Sequence, residues 1–282
     1  MRNDIINKIL DLIGDTPLYK LNINENNIYL KLEKYNLTGS IKDRAAKQII
    51  IDYLENKKDL FNGIICVTSF NLGLSLAVLA KYYNINLILL MNNTKDYIKM
   101  KYLDRLNIKI INLPNKTYSD LNKIAEKLAD RINFYYVDQF DNEFNQKANI
   151  LLGSEINNDL NQTPNYIFCG VGSGGTLAGL KKYFDKNTII IGVIPYLDEK
   201  VPGMNNEFIP NNITNIDYKV CYIKLDNAKR FQEKLIKEQG LLLGISSGAI
   251  YYSMLDYLKI NNIRNKTIVC ICPDGLDRYL DE

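Results

Sequence analysis

The sequence predicts an α/β protein whose mostly parallel sheets are covered by helices on both faces. Three observations lead there. Strand-like and helical runs alternate along the chain, and the strands are near-continuous Ile/Leu/Val runs such as Ile64-Ile65-Cys66-Val67 and Leu87 to Met91. Several strands also end in Gly/Ser/Thr turns that open helices. In open parallel sheets, ligands bind outside the carboxyl ends of the strands, where such turns converge.

In order, a helical pattern from Ile5 to Ile13 stops at Gly14, Asp15-Thr16-Pro17 turns, and Leu18 to Leu21 is strand-like. Strand Ile28–Leu32 leads through Thr38-Gly39-Ser40 into a helix from Asp43 to Leu54, with Ser40 placed as N-cap and Asp43 three residues on. After strand 64–67 come helix 71–83, strand 87–91, helix 96–106, strand 108–113, helix 118–132 and strand 134–137. The second half repeats the alternation: helix 144–160, strand 166–169, a glycine-rich turn with helix 177–184, and strand 188–194. A Pro/Gly/Asn-rich loop, 195–215, precedes strand 219–223, helices 226–239 and 246–258, and strand 267–271. A loop of that length is more often functional than idle.

Length bounds the chain at one large domain or two of ordinary size, since it has 282 residues. Its 35 basic and 32 acidic residues leave a net charge of +3, with no basic block, which argues against nucleic acid or a membrane surface as partner. No run approaches the ~18 apolar residues of a membrane-spanning helix, and the N-terminus lacks a small-residue cleavage site. A cytoplasmic protein is expected. The five cysteines lie in apolar runs without zinc or redox spacing, so no metal site is expected. There is no histidine, which removes Ser-His-Asp and Cys-His mechanisms and leaves an amine or a cofactor to carry chemistry.

Lys42 falls in the first turn of its helix, where the backbone dipole disfavours a cation. A lysine desolvated there can serve as a nucleophilic amine, although a capped surface helix with a solvated lysine also accounts for the stretch. The turn Gly170-Val171-Gly172-Ser173-Gly174-Gly175-Thr176 follows a strand and precedes a helix. Its glycines admit an anion to backbone N–H groups, as a phosphate cradle requires; a tight strand–helix turn is the alternative. It is neither a Walker loop nor a dinucleotide fingerprint. Thr68-Ser69-Phe70-Asn71-Leu72-Gly73 offers hydroxyls, an amide and helix-start N–H groups suited to a carboxylate or a phenolic oxygen. Capping alone would explain it, as it would Gly244-Ile245-Ser246-Ser247-Gly248-Ala249. The last turn, Pro273 to Tyr279, is open to a solvated or a functional reading.

Taken together, Gly14-Asp15-Thr16-Pro17-Leu18, TGSIKDRAA (38–46), TSFNLG (68–73), GVGSGGT (170–176), GISSGA (244–249) and DGLDRYL (274–280) resemble, in order, the pyridoxal-phosphate enzymes of the cysteine synthase and cystathionine β-synthase family. The resemblance runs from about residue 5 to 282. It implies two three-layer α/β/α domains (fold type II), the smaller from 1–11 and 36–146 and the larger from 12–35 and 147–282, with pyridoxal 5'-phosphate in the cleft between them. Lys42 then resembles the Schiff-base lysine, and Gly172, Ser173, Gly174, Gly175 and Thr176 the phosphate loop. Asn71 matches the amide on the ring's phenolic oxygen. Thr68, Ser69 and the N–H groups through Leu72 match the substrate-carboxylate loop, which Gln139 also faces, and Gly203 belongs to the glycine-rich stretch over the substrate. Ser246 stands in register for the serine at the pyridine nitrogen, because the last turn offers Asp274 and Gly275 instead.

The implied activity is β-replacement or β-elimination on serine, cysteine or an O-activated serine, with a small amino acid and a small nucleophile as substrates. Cysteine synthesis leads, and a cysteine or serine β-lyase or a diaminopropionate-type synthase follows. A homodimer is the family's usual assembly. Three departures qualify the resemblance. Phe70 and Leu72 replace glycine and threonine, which would bring a bulky ring and an apolar chain into the substrate loop. Met204-Asn205-Asn206-Glu207-Phe208 replaces a glycine-rich run, with Glu207 placed to meet a second substrate or activate water. Asp274, if near the ring nitrogen, would favour a protonated pyridine. Phe70 and Leu72 also motivate a rival from another class, a catalytically idle, cofactor-binding regulatory subunit.

Overall fold

The computed structural model describes residues 8–21, 25–92 and 97–280. Two sheets organise them. The larger, six-stranded sheet runs β1 (Leu18–Leu21), β2 (Asn27–Leu32), β10 (Thr267–Cys272), β7 (Tyr166–Gly170), β8 (Ile189–Pro195), β9 (Lys219–Ile223). Only β1 is antiparallel to its neighbour, with Leu18 opposite Lys31. The smaller, all-parallel sheet runs β5 (Lys109–Asn112), β4 (Leu87–Met91), β3 (Ile64–Val67), β6 (Tyr135–Val137). The α/β class with mostly parallel sheets is as the sequence indicates.

Every residue of β3, β4 and β10 is buried, which is why they read as unbroken apolar runs. Ile64, Cys66, Leu87 and Leu89 pack into one core, while Ile65, Val67, Ile88 and Leu90 pack into another with α4 (Tyr118–Ile132) on the opposite face. The larger sheet divides its cores in the same way, with Ile268 and Cys270 on one face and Val269 and Ile271 on the other. Among the described residues, no helix is long and apolar enough to cross a membrane.

Most expected elements stand within one or two residues of their predicted ends. At the N-terminus, residues 5–7 of the expected helix lie outside the described residues, and Ile9–Leu12 form a 3-10 turn. Helix α1 (Lys42–Asp52) continues into a π-helical turn, Tyr53–Lys57. The expected cap at Ser40 forms in a stretched version, with the Asp43 carboxylate 3.5 Å from the Ser40 N–H. Ile41 already has helical backbone, and the Ser40 hydroxyl accepts the Lys42 N–H at 3.3 Å. The Asp43 carboxylate reaches back to the Thr38 N–H and hydroxyl, at 2.8 and 2.6 Å.

Behind α1 lies a buried ionic network. Arg44 donates to Glu33 at 2.6 Å and to both oxygens of Glu155 at 2.6 and 2.7 Å. Lys31 donates to the Thr16 carbonyl at 2.7 Å and to Asp159 at 2.9 Å. Burial alone would push the Glu155 carboxyl up, but Arg44 and Lys31 outweigh it and hold it down at about 2.

Candidate active site

The carboxyl end of the larger sheet and the starts of four helices, at Lys42, Asn71, Gly175 and Ile245, meet at one cavity. Lys42, Asn71, Gly172, Ser173, Gly174, Thr176, Gly203, Ser246 and Asp274 line it, so nine of the residues singled out from the sequence come together across 232 positions of chain (274 minus 42).

Lys42 opens α1, which β10 positions directly: the Ile41 N–H donates to the Pro273 carbonyl at 2.8 Å, and Ser40 bridges Asp274. Its Nζ lies 3.4 Å from the Ser173 hydroxyl. Burial lowers the Lys42 pKa to about 8, against the opposing pull of Asp274. The amine that the sequence places at the positive end of the helix dipole is therefore buried and easier to neutralise than a solvated lysine.

The glycine turn sits between β7 and α6 (Gly175–Phe184). Gly174 has φ +79, and a Cβ on Gly172 would stand 2.5 Å from the Gly203 carbonyl oxygen. Gly175 does not line the cavity; a Cβ there would overlap the Asn145 side chain at 2.2 Å. Two asparagines that sequence reasoning missed hold this turn. Asn145 donates to the Ser173 hydroxyl at 2.8 Å and the Gln139 carbonyl at 3.2 Å. Asn212 donates to the Ser173 and Gln139 carbonyls at 2.8 and 3.2 Å. Asn145 is marked in sequence only by its place one turn into α5 (Glu143–Leu160), and Asn212 only by its place in the long 195–215 loop.

The substrate loop is only partly as expected. The Thr68 hydroxyl accepts the Gly73 N–H at 3.1 Å, and the exposed Ser69 does not line the cavity. Gln139 stands beside the loop, donating to the Val67 carbonyl at 3.4 Å and the Tyr118 hydroxyl at 3.2 Å. Phe70 and Leu72 do not crowd the site: they are 5% and 3% exposed and belong to the core beneath α2 (Asn71–Tyr82). Leu72, Leu76, Leu79 and Ala80 form one buried helical stripe, and Leu72, like Thr68 and Gln139, does not line the cavity. The case for an idle subunit loses its motive. Glu207 is exposed and away from the cavity, whereas Met204 lines it and fills the space beside Gly170.

The far wall holds Ser246 and Asp274. The Ser246 hydroxyl is buried and has no hydrogen-bond partner among the described residues, and the same holds for Asp274 Oδ1. Asp274 Oδ2 accepts from the Tyr279 hydroxyl at 2.6 Å and from Asn71 Nδ2 at 2.9 Å. Burial pushes the Asp274 carboxyl up.

These features fit pyridoxal phosphate. Glycines that no side chain can replace leave backbone N–H groups at a helix start for its phosphate, and Ser246 and Asp274, each with an orphaned buried oxygen, line the same cavity. The fold and cavity thus define an α/β enzyme built around one lysine amine and one anion cradle. The family of pyridoxal-phosphate dependent enzymes matches residues 9–274, and the chain belongs to it. It is similar to the O-acetylserine dependent cystathionine beta-synthase of Bacillus subtilis (strain 168), 31% identical over 300 residues that span 99% of this chain and 97% of the relative. A cysteine synthase of Buchnera aphidicola subsp. Acyrthosiphon pisum (strain APS) is 32% identical, over 95% of this chain and 94% of its own. The crystal structure of O-acetylserine dependent cystathionine beta-synthase from Helicobacter pylori superposes with a TM-score of 0.89 at 30% identity, covering 99% of this chain and 98% of that one.

Proposed function

We propose that the protein catalyses pyridoxal-phosphate-dependent β-replacement on an O-activated serine such as O-acetylserine, with a small thiol or sulfide as nucleophile. The observation that carries the proposal is the meeting of Lys42 Nζ and Ser173 of the glycine turn, 3.4 Å apart, in a cavity walled by Asp274 and Ser246. The similarity to O-acetylserine-using relatives supports the substrate class.

When bound, pyridoxal phosphate supplies the electron sink that makes the substrate's α-proton acidic and its β-substituent expellable. Lys42 Nζ would hold the cofactor, and its amine is placed to take the substrate's α-proton as general base. A pKa of about 8 suits both tasks. The N–H groups of residues 172–176, with the Ser173 and Thr176 hydroxyls, bind the phosphate. Asn71 would donate to the phenolic oxygen, and Asp274 or Ser246 would partner the ring nitrogen. Helix-start N–H groups from Ser69 to Leu72, with Gln139, bind the substrate carboxylate, while Gly203 and Met204 limit the space over the β-carbon. A homodimer working in the cytoplasm completes the reading. So does division into a smaller unit (1–11 and 36–146) and a larger one (12–35 and 147–282), which keeps the four-stranded sheet whole.

A substrate screen tests it. Cofactor-loaded protein given O-acetylserine and sulfide should form cysteine with loss of acetate. Sulfide release from cysteine without such synthesis would make it a β-eliminating enzyme instead, and silence toward both would overturn the reading.

A further inference from the structure

The function proposed above gives no use to Phe70 or to the second half of the last turn. Both belong to one assembly. Arg278 is 6% exposed, and its guanidinium forks: one amino group donates to Asn71 Oδ1 at 2.6 Å and the other to the Thr38 carbonyl. The fork lies over the Phe70 ring, 5.5 Å from its centroid. Asn71 is therefore bracketed. The Asp274 carboxylate accepts from its Nδ2 at 2.9 Å, and the guanidinium, which can only donate, takes its Oδ1. Turning the amide over would set oxygen against oxygen at Asp274 and N–H against N–H at Arg278.

We infer that Arg278, seated on Phe70, is a positioning residue that fixes the Asn71 amide with its N–H edge toward the cavity. The inference rests on the reading that Asn71 donates to the cofactor's phenolic oxygen. Asn71 and Asp274 both line the cavity, and the amide keeps a second N–H after serving Asp274. The fork also explains why an arginine stands here: it spans two acceptors in one plane while stacking on a ring, which an ammonium cannot do. Phe70 becomes the shelf for that plane. Its bulk lies beneath the loop and outside the substrate space. The last turn accordingly reaches back across 207 residues to set one amide, and across 240 to hold the turn that precedes Lys42.

A double-mutant cycle on the pyridoxal-phosphate-loaded protein tests this, read through the visible absorption band of the lysine-bound cofactor and its dissociation constant. Asn71→Ala and Arg278→Met should each shift the band and weaken cofactor binding about tenfold. The double variant should lose clearly less than the sum of the two single effects, because Arg278 acts chiefly through that amide. Phe70→Leu should move the band in the same direction by less, and Arg278→Lys should not restore it. Additive single effects, or an Arg278→Met protein with wild-type band and affinity, overturn the inference while leaving the cofactor reading intact. A wild-type protein with no band overturns the cofactor reading and the inference with it. Should Arg278→Met fail to fold, the cycle of Phe70→Leu with Asn71→Ala decides the matter by the same criterion.

Discussion

Two residues apart on α1, Arg44 and Lys42 face opposite kinds of polar environment. Arg44 enters a closed network in which Glu33, Glu155 and Thr16 meet its nitrogens at 2.6 to 3.2 Å. Lys42 enters a cavity where, among the described residues, its amine makes one long hydrogen bond, at 3.4 Å, and Ser246 Oγ and Asp274 Oδ1 lack partners. Both regions are buried and charged, but only one is complete. Buried polar groups left unmatched cost about 1–3 kcal/mol each, and two such groups belong to residues that line the lysine's cavity, where a polar ligand would match them. The closed network anchors the helix that presents the open one.

The comparison breaks most plainly at Arg44. Arg44→Met strands Glu33 without its cation and leaves Glu155 with Lys31, at 3.3 Å, so unfolding by urea should show a loss of about 3–5 kcal/mol. A loss under 1 kcal/mol would mean the network is incidental. Gly172→Ala should act on the other side. Its Cβ meets the Gly203 carbonyl, so it should cost about 1–3 kcal/mol and weaken cofactor binding at least tenfold by titration.

Acid sharpens the contrast. The folded pKa of Glu155 is depressed from 4.5 to about 2, so the folded state binds fewer protons than the unfolded one between those values. Its contribution is fully present above pH 4.5 and is lost as pH falls toward 2, amounting to about 2 kcal/mol once partial exposure is allowed for. In Glu155→Gln that acid limb should flatten. The smallest effect belongs to Ser246→Ala, which removes an orphaned hydroxyl and should change the stability of the cofactor-free protein by no more than about 0.5 kcal/mol. A larger loss would place a partner on that oxygen.

How much of this was legible depends on how local each feature is. The strand–turn–helix starts at Lys42 and at Gly172 to Thr176 are written in consecutive residues, and backbone rules suffice to read them. Fully buried parallel strands likewise declare themselves by composition. Asn145, Asn212 and Arg278 were illegible because their partners lie 28, 39 and 207 residues away. Phe70 and Leu72 were misplaced for a different reason. They flank Asn71 in sequence, but the helical stripe through Leu72 and Leu76 turns Leu72 inward, and Phe70 sits beneath the Arg278 fork.

The central claim is that the open region exists to hold one cofactor on one amine. Borohydride reduction of the pyridoxal-phosphate-loaded protein, followed by peptide mass mapping, reads it directly. The account predicts a stable phosphopyridoxyl group on the peptide containing Lys42 and none on that of Lys42→Ala. Labelling at another lysine, or none in a folded and saturated protein, would contradict it.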